Sequence, residues 1–410
     1  MNIPLIALNI VLLLITVRRI GRVQIQIWQA MCLGATIVVL SGSITVSGAW
    51  RAIDWDVMGF LTGAFIIGSG LLRSGMLYQS AYAWLERVRT VDGLVISVLV
   101  SAALTSSVLM NDTVAIIGTP LVLQLAREHR LDPRLLLLAL AAAVTIGSVP
   151  SPIGNPQNLL IASQGAFHNV FGAFVGKLAL PAVLNLALAY MVLRVLFRRQ
   201  FRPLVLRPAP PPRTTGSLTF WVKISLALFA AMVVLKITLL QLGSGAQIHL
   251  SYIALTAAAP LLLASPDRLQ LIKQLDWRTL LFFAAMFILM DSVWQTGSIQ
   301  AWVRTHDWAI TTPAAVLLNS VVLSQVISNV PLVALYLPLL KDTAGQPELL
   351  LLLAAGSTIA GNLLVLGAAS NVIIIHHAER HHATLTFFDF VRFGIPLTLL
   401  SLPIYWFTFT

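Results

Sequence analysis

Charge is scarce in this chain. Of its 410 residues only 10% are charged, against 58% hydrophobic, a balance that excludes an ordinary soluble globular protein, where about a quarter of residues carry charge. Cysteine is scarcer still. The single Cys32 lies within an apolar run, so an internal disulfide and any multi-thiolate metal centre are ruled out and packing is its expected role. Acidic residues number 15 against 26 basic ones, but the basic side chains are scattered between apolar runs rather than gathered in one stretch. A nucleic-acid-binding face is therefore excluded as well. The start of the chain, Met1 to Val17, lacks the basic n-region and small-residue cleavage site of a secretory leader, so it reads as a retained span.

What is present is a succession of apolar stretches, each of about 17 to 25 residues, enough to cross a hydrocarbon core of about 30 Å as a helix. The expected fold is an all-α polytopic protein of the cell's inner (plasma) membrane. Placing Arg18 to Arg22 in the cytoplasm orders the remaining spans by alternation, provided two segments dip in and return to the same side. The cytoplasmic loops then hold Arg87 and Arg89, Arg127 to Arg134, Arg198 to Arg213, Arg268 to Arg278, Arg380 and Arg392. The outer side keeps Arg51, Lys177, Lys236, Arg304 and Lys341, a bias of about four to one in the direction topology requires. Both termini fall outside on this scheme.

The two returning segments are 94–126 and 312–340, each an apolar run broken near its middle by polar, helix-ending residues. They read as re-entrant hairpins, and such backbone is tolerated at membrane depth only where it is buried in protein or lines a wet cavity. Between the halves, residues 201–217 carry Pro203, Pro208, Pro210, Pro211 and Pro212 with three arginines, which predicts an extended cytoplasmic linker.

The halves 1–200 and 218–410 share three blocks in the same order. Ile53-Asp54-Trp55 and Ser74-Gly75 match Leu275-Asp276-Trp277 and Thr296-Gly297; Asn111 and Pro120 match Asn329 and Pro338; Gly154 and Asn158 match Gly367 and Asn371. Duplication explains this order. An odd number of crossings separates matched elements, so the expected arrangement is two inverted repeats of about five spans plus one re-entrant hairpin each. Broken helices over 135–165 and 349–376 then meet at the midplane, where such repeats place substrate and coupling ions.

The polar residues cluster at these interruptions. Ser107, Asn111, Asp112 and Thr113 mark the first hairpin tip, residue types that cap helix starts, whose free N–H groups suit an anion. Ser328 and Asn329 mark the second tip, with Pro331 suited to the first turn of the helix that follows. Three prolines and two glycines between Ile146 and Asn158 cannot continue a helix, so Gly154, Asn155 and Asn158 become candidate substrate ligands, as do Gly367, Ser370 and Asn371 in the partner break. A carboxylate at a re-entrant tip needs a cation, a proton or hydrogen-bond donors. Asp112, with Asn111 and Asn329, is thus the candidate for a coupling Na+ or H+, the other reading being a carboxylate that only caps a helix. Asp291 faces an outer vestibule on this topology, and His376, His377, His381 and His382 read as a solvated loop. Gly172 to Leu178 lacks the spacing and the Ser/Thr of a phosphate loop. No acid–base pair, metal triad or nucleophile arrangement is legible, so neither an enzyme nor a bound cofactor is expected.

Taken together, Asn111-Asp112 with Thr119-Pro120, Ile153 to Asn158, Ser328 to Pro331, and Gly361-Asn362 with Gly367 to Asn371 resemble the ion transporter superfamily, in its arsenite permease and anion permease branch with a citrate-transporter-like domain. The resemblance covers nearly the whole chain. The carboxylate branch carries Ser-Asn-Thr at both tips, whereas this chain has Met110-Asn111-Asp112 and Ser328-Asn329-Val330; Asp112 agrees with the arsenite and sodium/proton antiporter relatives. The resemblance implies a homodimer with a scaffold domain and a mobile transport domain, and elevator-like, ion-coupled movement of a small anion or metalloid oxyanion. Its alternatives are a sodium/proton antiporter or a dicarboxylate/citrate symporter.

Overall fold

Within hydrocarbon every backbone N–H and C=O must find its partner inside the segment, so long apolar runs close into helices. The computed structural model, which describes residues 2–17, 19–20, 23–76, 79, 88–201, 216–242, 248–305, 310–340 and 347–409, is built almost wholly of them. Residues 202–215, most of the expected linker, lie outside the described residues.

The first half runs α1 (Ile3–Val17), a two-residue antiparallel ladder pairing Arg19–Ile20 with Val23–Gln24, α2 (Ile27–Leu40), α3 (Val46–Ala52), α4 (Trp55–Ser74), α5 (Val91–Val108), α6 (Asn111–Glu128), α7 (Pro133–Ser148), α8 (Pro156–Ala162) and α9 (Val170–Leu196). The second runs α10 (Gly216–Gln241), α11 (Leu250–Leu263), α12 (Arg268–Lys273), α13 (Trp277–Gln295), α14 (Ser298–Thr305), α15 (Pro313–Ile327), α16 (Asn329–Leu340), α17 (Pro347–Leu363), a 3-10 turn (Val365–Gly367), α18 (Ala369–Arg380) and α19 (Phe387–Phe409). Six of these, α4, α5, α9, α10, α13 and α19, are long and apolar enough to cross a membrane by length and composition, and shorter apolar helices accompany them.

Local capping sets the ends. Thr90 and Thr312 accept the N–H groups of Gly93 and Ala315, so the hairpins begin at Val91 and Pro313 and end at Glu128 and Leu340. Asp132 caps the first broken helix, which runs from Pro133 to Ala162, and the second runs from Pro347 to Arg380. These bounds extend the expected 94–126, 135–165 and 349–376 at their starts because the caps Thr90 and Asp132 and the prolines Pro133 and Pro347, not the first apolar residue, open the helices.

Contacts of the first half have counterparts in the second. α4 packs along α11 and α2 along α13; α5 and α6 fold against α7 as α15 and α16 fold against α17; α9 flanks α7 as α19 flanks α17. The halves also meet at the hairpins and breaks, where α6 lies on α18 and α16 on α8. The matched sequence blocks occupy matched positions. Asp54 and Asp276 are the N-caps of α4 and α13, and Gly75 and Gly297 take φ values of 73° and 67° just past their ends, a conformation that glycine adopts without steric cost. The broken helices form the centre: α7 is buried from Leu135 to Ser148 and α17 from Leu351 to Asn362. Large apolar side chains such as Leu180, Val195, Phe388 and Phe407 are exposed on α9 and α19, which suits a hydrocarbon surround.

Candidate substrate site at the paired helix breaks

The first hairpin turns at Leu109 and Met110, both buried and extended, and α6 begins at Asn111 with no side-chain cap from Met110. The Asn111 N–H donates instead to the Gly154 carbonyl at 2.8 Å, and its Oδ1 accepts the Asp112 N–H at 2.9 Å. The tip is thus tied to the middle of the first break. Gly154 is required there: a β-carbon would stand 2.7 Å from the Ser148 carbonyl oxygen and 2.9 Å from that of Ser106. Ser106 is buried and donates to the Val144 carbonyl at 2.7 Å, holding α5 on α7. Its neighbour Ser107 donates to Leu104 within its own helix. Thr113 packs against Gly68 and lines an apolar crevice with Met110, Ile153, Phe60 and Phe229. Asp112 is half-buried, and its carboxylate makes no hydrogen bond or ion pair among the described residues.

The first break closes on itself. Asn158 Nδ2 donates to the carbonyls of Ser148, Val149 and Ser151 at 3.1, 3.2 and 2.9 Å, capping the end of α7. Asn155 caps α8, its Oδ1 accepting the Asn158 N–H at 2.8 Å while Nδ2 donates to Ser148 Oγ and Thr358 Oγ1. Thr358 of α17 also donates to Asn158 Oδ1 and accepts from Gln157, each at 3.3 Å. Every buried side-chain nitrogen and oxygen of Ser148, Asn155, Gln157 and Asn158 has a partner.

The second break is joined to its hairpin by a side chain: Gln325 Nε2 donates to the Ala360 carbonyl at 2.9 Å. Gly367 lies over this bond, with a hypothetical β-carbon 2.6 Å from the Ala360 oxygen and 3.0 Å from Gln325 Oε1. Asn371 Nδ2 donates to the Gly361 carbonyl at 2.6 Å, the counterpart of the Asn158 bond. Thr145, from the first half, meets Gly361, its methyl 3.5 Å from where a β-carbon would stand. Here polar atoms are left over. The Thr145 and Ser370 hydroxyls, Ser324 Oγ, Gln325 Oε1, Asn329 Oδ1, Asn362 Nδ2 and Asn371 Oδ1 are buried without a hydrogen-bond partner among the described residues, an arrangement expensive in a dry interior. At the tip between α15 and α16, Ser328 takes φ 69° and ψ 159°, backbone territory that belongs to glycine.

The two tips are linked through the breaks rather than directly. Asn111 bonds Gly154, Asn155 and Asn158 bond Thr358, and two residues further along the same helix Ala360 bonds Gln325 of the second hairpin. Ser106, Thr145, Gln157, Gln325, Thr358 and Asn362 take part although none of them was a candidate ligand from the sequence. For Thr145 and Thr358 a signal existed: each precedes its asparagine, Asn158 or Asn371, by the same number of residues.

Known proteins are similar to this chain in sequence and in fold. The family described as "Citrate transporter" matches residues 10–348. The silicon efflux transporter LSI3 of rice is 37% identical over 130 residues, which are 32% of this chain and 27% of that one. The inner membrane protein YbiR of Escherichia coli is 29% identical over 283 residues, covering 68% of this chain and 70% of its own. An uncharacterised transporter of Mycobacterium tuberculosis is 28% identical over 353 residues, 82% and 80% of the two chains. In fold, the crystal structure of the YdaH transporter of Alcanivorax borkumensis, described as having an unusual topology, is similar over 90% of this chain and 89% of its own, with a TM-score of 0.57 and 18% identity. A polytopic helical membrane protein with polar helix breaks at its centre, this chain belongs to the citrate transporter family of the ion transporter superfamily, as a membrane transporter and not an enzyme.

Proposed function

We propose that the chain is an ion-coupled secondary transporter of a small anion or metalloid oxyanion, working by elevator-type alternating access as a homodimer of inverted repeats, with residues 94–126 and 312–340 re-entrant and the linker 201–217 cytoplasmic. The observation that carries this reading is the set of buried, unpartnered polar atoms around the second break and tip. Three are amide oxygens that only accept, three are hydroxyls and one is an amide donor. Such a set matches a ligand that is itself hydroxylated, as oxyacids are, or a ligand together with a coupling cation. No lysine or arginine is among the residues that meet at the breaks. Negative charge is therefore balanced by the starts of α6, α16 and α18, whose first N–H groups carry partial positive charge. Substrate ligation falls to Asn329, Ser370 and Asn371 with Ser328 and Gly367, and the cation to Asp112, Asn111 and Asn329.

The test is counterflow in proteoliposomes made with the purified protein, offering arsenite, silicic acid, citrate and sulfate under sodium or proton gradients. Exchange of one of these, reduced at least tenfold in Asn329→Ala and Asn371→Ala, is the expected result; absence of exchange for all of them under both gradients overturns it. A second reading, a sodium/proton antiporter, is favoured by Asp112, a tip carboxylate with no hydrogen-bonded partner among the described residues. Sodium/proton exchange without substrate, abolished in Asp112→Asn, would put that reading first. Citrate uptake driven by sodium would instead select the carboxylate symporter. The topology is checked separately, since protease added outside intact spheroplasts should leave 201–217 uncut.

A further inference from the structure

Far from the breaks, the end of α9 and the start of α19 flank an open groove lined by Arg194, Val195, Leu196, Arg198, Phe201 and Arg392. It runs into a second hollow that adds Arg199 and Arg134. Two of these cations are already matched. Arg194 pairs with Asp92, and Arg134 bonds Asp132 at 2.7 Å and Asp389 at 3.1 Å. Arg198, Arg199 and Arg392 are exposed and have no carboxylate partner among the described residues. Nor does the sequence that follows supply one: residues 202–215 add Arg202, Arg207 and Arg213 and no acid.

The walls of the groove continue into surface of a different kind. On α9, Val195 is 73% exposed and stands one turn beyond exposed Met191; on α19, Arg392 shares a stripe with exposed Ile395 and Leu399, because side chains three and four apart lie on one helix face. Unpaired guanidiniums at one end and aliphatic stripes leading away from them describe a ligand with an anionic head and hydrocarbon tails. Guanidiniums are well matched to phosphate, which they grip through paired N–H donors, and basic pockets between helices near the membrane surface hold phospholipid headgroups.

We propose that this groove binds the phosphate headgroup of an anionic phospholipid, with Arg198 and Arg392 as its principal contacts and Arg199 alongside. The lipid bridges α9 and α19, which pack on each other and flank the first arms of the two broken helices, α7 and α17. It would brace the frame around the site without entering it.

The experiment is native mass spectrometry and thermal unfolding of the full-length protein in detergent, supplied with phosphatidylglycerol or phosphatidylcholine. Wild type should retain phosphatidylglycerol preferentially and gain thermal stability from it. The pair Arg198→Gln with Arg392→Gln should lose about thirtyfold in retained phosphatidylglycerol, from about 1 kcal/mol for each of the two basic side chains near an anionic lipid. The pair Arg268→Gln with Lys273→Gln, equal in charge removed but outside the groove, should lose little. Equal retention of both lipids by wild type overturns the proposal even if the variants do not fold. So does an equal loss in the two double variants, which would mean net charge alone. Inorganic phosphate displacing the lipid's effect at millimolar concentration would show a free-anion site and likewise overturn it.

Discussion

Asn158 and Asn371 stand at corresponding points of the two broken helices and donate the same bond, from Nδ2 to a carbonyl in the last turn of the helix before the break, Ser148 at 3.1 Å and Gly361 at 2.6 Å. There the likeness ends. Asn158 reaches two further carbonyls and receives the Thr358 hydroxyl on its Oδ1. Asn371 keeps its Oδ1 free of any described partner, and the hydroxyl that corresponds to Thr358, that of Thr145, is unpartnered too. Matched residues thus build a locked break in one half and an unfinished one in the other. On the proposed function the two do different work: one break holds the backbone interruption in shape, and the other offers polar atoms to the transported ligand.

The largest expected effect tests the locked half. Asn158→Ala strips a partner from three buried carbonyls and from Thr358, and each orphaned group costs about 1–3 kcal/mol, so a loss of about 4 kcal/mol is expected, seen as a collapse of thermal stability in detergent. Asn371→Ala removes one such bond and should cost about 1 kcal/mol while transport falls at least tenfold. Equal losses of stability in the two variants would erase the distinction between the breaks.

The threonines sharpen it. Thr358→Val deletes the group that Asn155 and Gln157 donate to and that donates to Asn158, for an expected loss of about 2 kcal/mol. Thr145→Val replaces a buried hydroxyl that has no partner with a methyl of nearly the same shape, which should leave stability unchanged or slightly raised. If the unfinished break meets substrate or cation, the same change slows uptake. A Thr145→Val protein that is destabilised as much as Thr358→Val would show that Thr145 is bonded after all.

How much of this was readable beforehand follows the range of each interaction. The interruptions near Gly154 and Gly367 are local chemistry and lie where their residues placed them, whereas Asp54, Asp276, Gly75 and Gly297 were legible only as matched blocks and their roles at the ends of α4 and α13 come from the structure. The short helices α3, α12 and α14 carry no apolar span to announce them and were not foreseen. At the site, the asparagines were legible as residues at a break, but not which would be saturated. That depends on Thr358 meeting the first break and Thr145 facing Gly361, contacts between distant stretches that periodicity does not encode. Ser106 and Ser107 make the same point in miniature. Both are tip serines, and only the helix face decides that Ser106 holds α7 while Ser107 bonds back to its own turn.

The smallest expected effect concerns the tips. Met110 and Ser328 occupy equivalent places before Asn111 and Asn329, yet Met110 is relaxed at φ −61° and ψ 137°, whereas Ser328 is held at φ 69° and ψ 159°. A non-glycine residue there carries about 1–3 kcal/mol of strain. Ser328→Gly relieves it, offset by about 0.4–1 kcal/mol for the greater freedom of glycine in the unfolded chain, so a net gain of about 1 kcal/mol is expected in thermal unfolding. If the strain belongs to the unfinished half because that tip must rearrange around its ligand, the stabilised variant should also turn over more slowly, with its apparent substrate affinity changed less than its rate. A variant that is less stable than wild type would mean that the Ser328 side chain holds the tip through bonds of its own, and the second tip would then be as locked as the first break.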